Sequence, residues 1–489
     1  MRRAHTVDVV RKAEEALMAR LPKGALMRRA AAGLAAVCAR MLPRVYGARV
    51  VLLVGSGDNG GDALFAGAVL ARRGAAVAAV PAGRSAHRGG LTALRAAGGR
   101  LLDPAEADAE LARADIVVDG LVGIGVRGAL REPYARLAAL AEAVSAPVVA
   151  VDLPSGVDAD TGAVEGVCVR ADVTVTFGTH KPGLFVDPGA ARAGVVEFAD
   201  IGLTPELPAP RVVSPQAADI AALLPRPTPE SDKYRRGVLG LAAGSDRYRG
   251  AAVLAAGGAL RTGVGMLRYV GQPEAATEVV RRWPEAVVSA LDPTDPVGHL
   301  PSRVSAWVIG PGRGLHPTAV MELEAVLATD LPVLVDADAV TLLAKRPHLV
   351  SGRRAPTLLT PHAGELARLL PGTERADVEA RRLDHVTRAA GEYGCTVLLK
   401  GSTTLVAEPG EPVVSNPTGT PLLATAGSGD VLAGVAGALL ASGLSPWEAA
   451  TCAAYLHGLA ARRARDGAAV SASDLFDALP GALLSVLAP

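Results

Sequence analysis

The sequence has few cysteines, almost no net charge and no long apolar run, and each shortage excludes a class of protein. The four cysteines, at positions 38, 168, 395 and 452, form no CxxC pair, so neither a disulfide framework nor a zinc site is predicted. Free thiols are typical of a reducing cytoplasm, where we place the protein. A net charge of +1 gives no reason to expect a nucleic acid or an anionic membrane as a partner. No uncharged apolar run is long enough to span a bilayer.

Half of the residues are hydrophobic and 55 are glycine, and apolar runs alternate with glycine-containing turns. This pattern is typical of an α/β fold, in which helices cover a mainly parallel sheet. A chain of 489 residues is long enough for two or three domains. Seven prolines lie between Leu203 and Asp232, and proline resists both helix and central strand. We therefore predict two α/β domains, at 1–210 and 211–489.

The first half begins with two predicted helices, at 7–20 and 24–42, and then a buried strand, RVVLLVG. The strand leads into Gly55-Ser-Gly-Asp-Asn-Gly-Gly-Asp62, which contains a literal GxGxxG and suggests a dinucleotide-binding Rossmann site. That site needs an acidic residue at the end of the next strand, where this chain has Pro81 and Gly83 instead. A standard NAD fingerprint is therefore not predicted. A P-loop is excluded, because no Lys-Ser/Thr pair follows the glycines.

Three predicted strands of the first half end in loops that carry oxygen-bearing side chains. Asn59 follows the first strand, Asp119 the second, and Asp152 and Ser155 the third. Because ligands of parallel sheets gather at the carboxyl ends of the strands, these loops are predicted to line one crevice. Asn59, Asp119 and Ser155 offer only hard oxygen ligands, which suit an alkali or alkaline-earth cation. The alternative is that these side chains only cap the helices that follow.

The second half again alternates strands with helices and contains a glycine-rich turn, Ala424-Thr-Ala-Gly-Ser-Gly-Asp430. The apolar residues after it fall at helical spacing, so a helix is predicted to begin near Asp430. The free amides of such a helix attract an anion, and a carboxylate beside them suits phosphoryl transfer, with Asp430 accepting a proton from the attacking hydroxyl. Alternatively, Asp430 only stabilises the positive helix end. The capping box from Ser445 to Glu448 predicts the start of a terminal helix.

Four blocks of the first half, GSGDNGGDA, VVDGLVGIGVRG, VDLPSGVDADTG and TFGTHKPGL, resemble the signature of the NAD(P)H-hydrate epimerase domain (the YjeF N-terminal domain). The resemblance covers residues 5–205 and implies a Rossmann-like αβα domain that binds hydrated NAD(P)H and a potassium ion. It implies potassium ligation by Asn59, Asp119 and Ser155, and we choose Asp152 as the acid–base residue, with Lys181 second. The implied substrate contacts are Asp58, Asn59, Gly60, Gly61, Asp62, Gly123, Ile124, Gly125, Val126, Arg127, Gly128, Ala129 and Asp152. Asp58 stands where the family usually has Asn and adds a negative charge beside a phosphate-rich ligand.

The second half resembles the ribokinase-like superfamily and, within it, the ADP/ATP-dependent NAD(P)H-hydrate dehydratases. The resemblance is carried by DKYRRGVLGLAAGS, YRGAAVLAAGGALRTGVG, VIGPGRG, TPHAGE, LLKGSTT and NPTGTPLLATAGSGDVLAG, and it covers residues 215–487. The implied nucleotide contacts are Lys400, Gly401, Ser402, Thr403, Thr404 and Gly429. The implied contacts to the hydrated nicotinamide are Ala251, Gly312, His362 and Asp430. Asp232 stands where many members have His.

Together the two resemblances imply a bifunctional enzyme that repairs NADH-hydrate and NADPH-hydrate, in which water has added across the nicotinamide 5,6 double bond. The first domain would interconvert the R and S forms. The second would use ADP or ATP, with Mg²⁺, to phosphorylate the C6 hydroxyl of the S form, and phosphate would then leave. The alternative is a ribokinase-like kinase for a small molecule, such as a vitamin precursor, fused to a nucleotide-binding module. We expect a homo-oligomer, and the sequence leaves the choice between ADP and ATP open.

Overall fold

The computed structural model describes residues 1–83, 85–292, 295 and 297–488. The chain divides into two compact units: the first is Arg3–Val212, and the second is Val213–Pro489 together with Met1–Arg2. Each unit is built on a largely parallel sheet with helices, which confirms the predicted α/β class. No helix in the described ranges is long and apolar enough to cross a membrane.

The first unit is a seven-stranded sheet with helices around it. After the short strand β1 (Arg2–Ala4), its sheet strands are β2 (Arg49–Val54), β3 (Ala76–Pro81), β4 (Arg100–Leu101), β5 (Ile116–Gly120), β6 (Val148–Val151), β7 (Val173–Phe177) and β8 (Val195–Ala199). Its α-helices are α1 (Val7–Met18), α2 (Ala25–Met41), α3 (Asp58–Arg72), α4 (Arg88–Ala96), α5 (Ala107–Leu111) and α6 (Tyr134–Ala143). The helices predicted at 7–20 and 24–42 correspond to α1 and α2.

The strand order of this sheet reverses at β2. The order is β4-β3-β2-β5-β6-β7-β8, and the pairs are parallel. The chain runs outward from β2 to β3 and β4, and then returns with β5 to the opposite side of β2. The loops after β2 and β5 therefore separate at the carboxyl edge of the sheet, which is where open α/β sheets bind their ligands.

Strand β2 is buried on both faces, as its unbroken apolar run predicts. Val50, Leu52 and Val54 belong to the core that includes residues of α2 and α3. Val51 and Leu53 belong to a second core that includes residues of α5 and α6. Because successive side chains of a strand point to opposite faces, one apolar run fills both cores, and the unit has three layers.

The second unit follows the same plan with a larger sheet. Its strands are β9 (Val212–Ser214), β10 (Val238–Ala242), β11 (Met266–Gly271), β12 (Val287–Ala290), β13 (Ala306–Ile309), β14 (Val333–Val335), β15 (Thr357–Leu359), β16 (Thr396–Leu399), β17 (Leu405–Ala407) and β18 (Val413–Ser415). Its α-helices are α7 (Ala217–Leu223), α8 (Arg249–Thr262), α9 (Pro273–Arg282), α10 (Pro317–Leu327), α11 (Ala337–Leu343), α12 (Ala363–Leu369), α13 (Arg375–Ala380), α14 (Arg382–Tyr393), α15 (Ser428–Ala441), α16 (Pro446–Arg463) and α17 (Ala472–Leu487).

The larger sheet is parallel in its centre and antiparallel towards one edge. Its order is β1-β9-β18-β17-β16-β15-β14-β13-β10-β11-β12. The pairs from β16 through β10 to β12 are parallel, whereas β17 is antiparallel to both β16 and β18. The run 395–407 therefore folds as a hairpin, and its turn is the predicted nucleotide-binding segment 400–404.

The capping box predicted at Ser445 is present. Ser445 Oγ accepts a hydrogen bond from Glu448 N (3.3 Å), and Glu448 Oε2 accepts one from Ser445 N (3.0 Å). Helix α16 begins at the next residue, but the prediction that it is the terminal helix is wrong. A second capping box, between Ser471 and Asp474, begins α17, and this signal was missed.

Helices α8 and α15 pack with their backbones in contact. A Cβ at Gly258 would lie 2.3 Å from Val431 O, and a Cβ at Gly434 would lie 2.0 Å from Ala255 O. No side chain fits at either position, so glycine is required for this close approach. The many small residues of α8 therefore serve its packing against α15.

Candidate active sites

The first unit contains a cavity of about 710 Å³ beside the carboxyl ends of β2, β5 and β6. Most of the substrate contacts implied by the sequence line it: Asp58, Asn59, Asp62, Gly123, Ile124, Gly125, Val126, Arg127, Ala129 and Asp152. The structure therefore brings three separate loops together around one space. This volume is in the range of pockets that hold a small molecule.

Three of the implied contacts, Gly60, Gly61 and Gly128, are not among the residues that line the cavity. A Cβ at Gly60 would lie 2.2 Å from Gly55 O, and a Cβ at Gly61 would lie 3.1 Å from the side chains of Met27 and His87. These two glycines allow the first turn of α3 to pack closely against the preceding loop and against the side chains of Met27 and His87. Gly128 has a φ of 77°, which suits its place in a turn.

Asp152 follows β6 directly and has a φ of 65°, a conformation that L side chains rarely adopt. Its Oδ1 accepts hydrogen bonds from Thr176 Oγ1 (3.1 Å) and Phe177 N (3.0 Å), and it is bonded to Lys181 Nζ. Lys181 is 1% exposed and also donates to Phe177 O (3.2 Å). Asp152 lines the cavity and Lys181 does not, so Lys181 can affect a bound molecule through Asp152.

The cavity also contains charged side chains of α1 that the sequence reasoning missed. Arg11 and Glu14 both line it. Burial raises the pKa of Glu14, with Lys181 opposing the rise and Asp152 and Asp58 adding to it. Arg11 and Glu14 are three residues apart in the sequence, which places them on one face of the predicted helix. This spacing is the sequence feature that could have indicated a shared site.

The three residues implied as potassium ligands lie close together, and one of them, Asn59, also lines the cavity. Asp119 is fully buried; its Oδ1 accepts from Ser155 Oγ (2.7 Å) and its Oδ2 from Ser155 N (2.8 Å). Asn59 Nδ2 donates to Val122 O (3.3 Å) and Val151 O (2.6 Å), and Val122 N donates to Ser155 Oγ (3.0 Å). Burial raises the pKa of Asp119, although the hydrogen bonds from Ser155 oppose that rise. Neither Asp119 nor Ser155 caps a helix.

In the second unit, Asp430 lies in the first turn of α15, which begins at Ser428. The residue before the helix, Gly427, has a φ of 87°, and a Cβ there would lie 2.4 Å from Leu254 Cδ1. Burial raises the pKa of Asp430 to about 7, with Asp336 adding to the rise and Lys400 opposing it. A carboxyl with this pKa can act as a base near neutral pH, beside amides that attract an anion.

Lys400 ends β16 and lies among carboxylates from the neighbouring strand ends. Its Nζ donates to Asp336 Oδ1 (2.7 Å) and lies 3.8 Å from Glu365 Oε2. Although burial opposes the shift, Asp336 and Glu365 raise the pKa of Lys400. Asp336 follows β14 and Glu365 lies in α12, and sequence reasoning singled out neither. Only the order of the strands places them beside Lys400.

His362 is the N-cap of α12. Its Nδ1 accepts hydrogen bonds from Gly364 N (3.0 Å) and Glu365 N (3.2 Å), and Glu365 Oε2 accepts one from His362 N (2.8 Å). His362 Nε2 lies 3.4 Å from Glu365 Oε1, and the side chain is half exposed. The imidazole therefore stabilises the start of α12 while one of its edges faces solvent.

Hydrogen bonds to its backbone carbonyl groups hold the predicted nucleotide-binding turn 400–404 in place. The buried side chain of Arg382 donates through Nη2 to Lys400 O (3.0 Å) and Thr403 O (3.2 Å). Thr404 Oγ1 donates to Gly401 O (3.2 Å), and a Cβ at Gly419 would lie 2.1 Å from Ser402 O. Gly429 lies near this turn, since a Cβ there would be 3.5 Å from Lys400 Nζ.

Ala251 and Gly312, implied as nicotinamide contacts, are neighbours: a Cβ at Gly312 would lie 2.6 Å from Ala251 Cβ. Gly312 lies in a turn whose adjacent side chain, Arg313, is almost completely buried. Arg313 Nε donates to Glu322 Oε2 (2.6 Å), and Nη1 donates to Gly244 O (3.0 Å). This buried ion pair connects the turn after β13 to the loop after β10 and was not anticipated from the sequence.

Comparison with known proteins gives a match for each unit. A family model described as YjeF-related protein N-terminus matches residues 23–183, and one described as NAD(P)H-hydrate dehydratase matches residues 239–481. The chain is 48% identical over 466 residues to the "Bifunctional NAD(P)H-hydrate repair enzyme Nnr" of Mycobacterium leprae strain TN, covering 94% of each chain. It is 49% identical over 458 residues to the protein of that name from Mycobacterium tuberculosis strain CDC 1551 / Oshkosh, covering 92% of this chain and 91% of that protein.

Solved structures agree with these sequence relatives. ADP/ATP-dependent NAD(P)H-hydrate dehydratase from Bacillus subtilis, co-crystallised with ATP/Mg²⁺, is 31% identical with a TM-score of 0.50, covering 55% of this chain and 97% of its own. A ribokinase-like superfamily protein from Enterococcus faecalis V583 is 26% identical with a TM-score of 0.50, covering 57% of this chain and 97% of its own. On the strength of both family matches and the near full-length relatives, the chain belongs to the family of bifunctional NAD(P)H-hydrate repair enzymes.

Proposed function

We propose that the two units divide the repair of hydrated NADH and NADPH between them. The first unit, near 1–210, interconverts the R and S hydrates, and the second, near 211–489, removes water from the S hydrate with ADP or ATP as phosphate donor. The observation that carries this proposal is Asp430, a partly buried carboxyl with a pKa of about 7 in the first turn of α15. This geometry provides a base and an anion site in one turn.

Dehydration begins with phosphorylation of the C6 hydroxyl. Asp430 accepts the hydroxyl proton as the oxygen attacks the terminal phosphoryl group, and the amides of 427–429 stabilise the negative charge that develops on the phosphoryl oxygens. Hydroxide is a poor leaving group and phosphate is a good one. Phosphate then leaves C6, a proton is lost from C5, and the 5,6 double bond is restored.

The nucleotide lies over the turn 400–404 in this proposal. Lys400 carries a positive charge directly after β16, and the backbone amides of the turn and of Gly429 would contact phosphate oxygens. In the described ranges no group of three or more His, Cys, Asp or Glu side chains is arranged to hold a metal ion. The donor set therefore fits Mg²⁺ that is carried mainly by the phosphates and water, which is the usual manner of its binding. The ion would neutralise phosphate charge.

A potassium ion fits the group Asn59, Asp119 and Ser155. The Asp119 carboxyl is completely buried, and no ion pair to a cationic side chain is found for it in the described part of the chain. The three residues supply only oxygen ligands, and a buried carboxylate without a cationic partner is unfavourable unless a cation neutralises it. A bound potassium ion would fix the three strand-end loops that form the floor of the cavity.

Epimerisation takes place in the cavity of the first unit, with Asp152 as an acid–base residue. Its carboxylate is held by Thr176, Phe177 and Lys181, so its position in the cavity wall is well defined. Lys181 has a supporting role because it is buried behind Asp152. Substrate phosphates would face the arginine side chains at the other wall, such as Arg11 and Arg127.

We also propose that the enzyme is cytoplasmic and a homo-oligomer. The support for the first point is that the four cysteines are free and buried, as in proteins of a reducing compartment. The oligomer stays a prediction, and size-exclusion chromatography with light scattering tests it.

The test is recovery of NADH from a mixed R and S NADH-hydrate preparation with Mg²⁺, K⁺ and either ADP or ATP. The absorbance of the reduced nicotinamide ring reports the product. Full recovery supports both activities and identifies the donor. Recovery that stops when the S form is exhausted contradicts the epimerase assignment. No recovery, with the nucleotide intact, contradicts the dehydratase assignment, and a stable phosphoester product would favour a small-molecule kinase.

A further inference from the structure

Asp62 is a buried carboxyl in the wall of the cavity, and no ion pair is found for it among the described residues. It lies in α3 and is 7% exposed, and its Oδ1 has no hydrogen-bond partner in the described part of the chain. Burial raises its pKa well above the ordinary value, and the negative charges of Asp152, Asp58 and Glu14 add to the rise. Such surroundings favour the protonated form of the carboxyl, which can donate its proton.

Asp152, in the same cavity, has the opposite surroundings. Lys181 Nζ is bonded to its Oδ1, and Thr176 Oγ1 and Phe177 N donate to the same oxygen. An ion pair and two donated hydrogen bonds therefore converge on one oxygen of this carboxylate. Two carboxyls in one cavity, of which one is paired with a lysine and the other has an oxygen without a donor, can serve as base and acid for one reaction.

Two arginines and two carboxyls of the cavity belong to different parts of its wall. A Cβ at Gly125 would lie 2.7 Å from Arg11 Nη2, so the guanidinium of Arg11 lies against the 123–129 loop, where Arg127 is also found. Asp58 and Asp62 lie in the first two turns of α3, after a different strand. With phosphates at the arginines, the nicotinamide ring would lie towards the carboxyls, which favour a positively charged ring.

Resting on the proposed epimerase activity, we infer that Asp62 is a second catalytic residue, that it protonates the departing C6 hydroxyl, and that epimerisation proceeds through a ring-closed iminium cation. The proton of Asp62 passes to the C6 oxygen, and the C6–O bond breaks with its electron pair leaving on oxygen as water. The lone pair of N1 forms the N1=C6 double bond. The ring then carries one positive charge, and C6 is planar.

Return of water to the other face of C6 completes the inversion. A lone pair of the water oxygen forms the new C6–O bond, and the N1=C6 pair returns to N1. The extra proton of the added water passes to Asp152, and exchange with solvent restores the proton on Asp62. No oxidant or reductant is needed. The same two residues serve the S to R direction with their roles reversed.

The competing route opens the ring instead. In that route the N1–C6 bond breaks and C6 becomes an aldehyde that keeps its oxygen, so no positive charge forms on the ring. A cavity wall with Glu14, Asp58, Asp62 and Asp152 stabilises a cation and offers nothing comparable to a neutral aldehyde. The two routes differ in which bond to C6 breaks, and that difference is measurable.

The experiment uses the full-length protein and the pure R hydrate in oxygen-18 water, without nucleotide so that dehydration cannot proceed. The S hydrate formed in the initial phase is separated, and its oxygen-18 content is measured by mass spectrometry. The oxygen-18 incorporated in a sample without enzyme is subtracted. The inference predicts one heavy oxygen in each S molecule formed. S hydrate that retains its light oxygen, or an aldehyde trapped as an oxime by hydroxylamine during turnover, would overturn it. A wild-type protein that forms no S hydrate at all would instead contradict the proposed function.

Variants assign the step to Asp62. Asp62→Asn should slow R to S conversion by about 100-fold or more, while dehydration of the S hydrate by the same sample stays normal and reports that the chain is folded. The matched control is Asp103→Asn, which changes an exposed carboxyl of the same unit. Wild-type epimerisation should also fall as pH rises through the raised pKa of Asp62, because the donor proton is then lost. An Asp62→Asn variant that epimerises normally would overturn the assignment.

Discussion

Both units pair a lysine with a carboxylate at a strand end, and the two lysines, one buried and one 19% exposed, have different partners. In the first unit Lys181 is bonded to Asp152, the proposed acid–base residue itself. In the second unit Lys400 is bonded to Asp336, 2.7 Å away, and Asp430 is left without that ion pair. The pKa of Asp430 therefore rises to about 7, driven by burial and by Asp336. A lysine in a site pairs directly with the carboxylate it contacts and only moderates the pKa of the next one.

The chemistry proposed for the two sites agrees with this difference. A base that takes a proton from a hydroxyl near neutral pH works best with a pKa near that pH, which suits Asp430. A carboxylate that faces a developing ring cation needs a fixed position, which suits Asp152 with Lys181 behind it. A lysine and an aspartate therefore serve both proposed reactions. The difference is that the lysine contacts the acid–base aspartate in the first unit and a different aspartate in the second.

The largest expected effect comes from removing the base of the second unit. Asp430→Asn keeps the size of the side chain but cannot accept the hydroxyl proton, so dehydration of the S hydrate should fall by about 1,000-fold or more. Epimerisation, measured without nucleotide, should be unchanged because it uses the other unit. The control is Asp477→Asn, an exposed carboxyl of the second unit. Loss of both activities would contradict the assignment of separate sites.

The next effect concerns the stability of the buried pair in the first unit. Asp152→Asn leaves the Lys181 ammonium buried without its carboxylate, which should lower the free energy of unfolding by about 3–5 kcal/mol. Asp152→Asn combined with Lys181→Met removes both charges and should recover part of that loss. Denaturant unfolding followed by circular dichroism compares the two. A double variant no more stable than the single one would mean that the pair is not coupled.

A smaller effect is expected on the pH profile of dehydration. The base form of Asp430 is lost as pH falls below its pKa of about 7, so the rate should decrease on the acid side. Lys400 opposes the rise of that pKa, and Lys400→Met should therefore move the acid limb of kcat/KM upward by about one pH unit. The comparison is made at saturating nucleotide, since Lys400 also faces the phosphates. Lys345→Met, at an exposed position of the same unit, should leave the profile in place.

The smallest effect is expected at the rim of the first cavity. Arg127 is 74% exposed and pairs with Asp160 at 3.1 Å, and solvent screens such a charge strongly. Arg127→Gln should raise KM for the hydrate by about 2- to 5-fold with little change in kcat. Steady-state epimerisation kinetics with NADH-hydrate and NADPH-hydrate measure it. A large fall in kcat would mean that Arg127 takes part in the chemistry rather than in binding.

Much of each site could be predicted because its signals are local in sequence. Gly427 and Asp430 occur within one turn, and the helix that starts there is marked by apolar spacing, so an anion site with a carboxylate could be inferred directly. The loop with Asp58, Asn59 and Asp62 follows a strand that its apolar run identifies. Glycine turns and helix starts depend on backbone sterics of a few residues, which the sequence displays.

The partners of these residues could not be predicted, because they come from distant segments. Lys181 lies 29 positions after Asp152, and Asp336 lies 64 positions before Lys400. Glu14 reaches the cavity from α1, a helix that the sequence marks only as amphipathic. These contacts depend on which strands are neighbours in the sheet, and strand order is a property of the whole chain.

The sequence by itself therefore determined the α/β class, the glycine turns, the residues able to do chemistry and the family resemblance. Only the tertiary structure decided that Asp62 Oδ1 has no hydrogen-bond partner among the described residues, that Asp152 is held by Lys181 and that Lys400 contacts Asp336 rather than Asp430. The physical reason is that the type of a side chain is encoded residue by residue. Its protonation state depends on burial and on charges within a few ångströms, and folding alone brings those charges together.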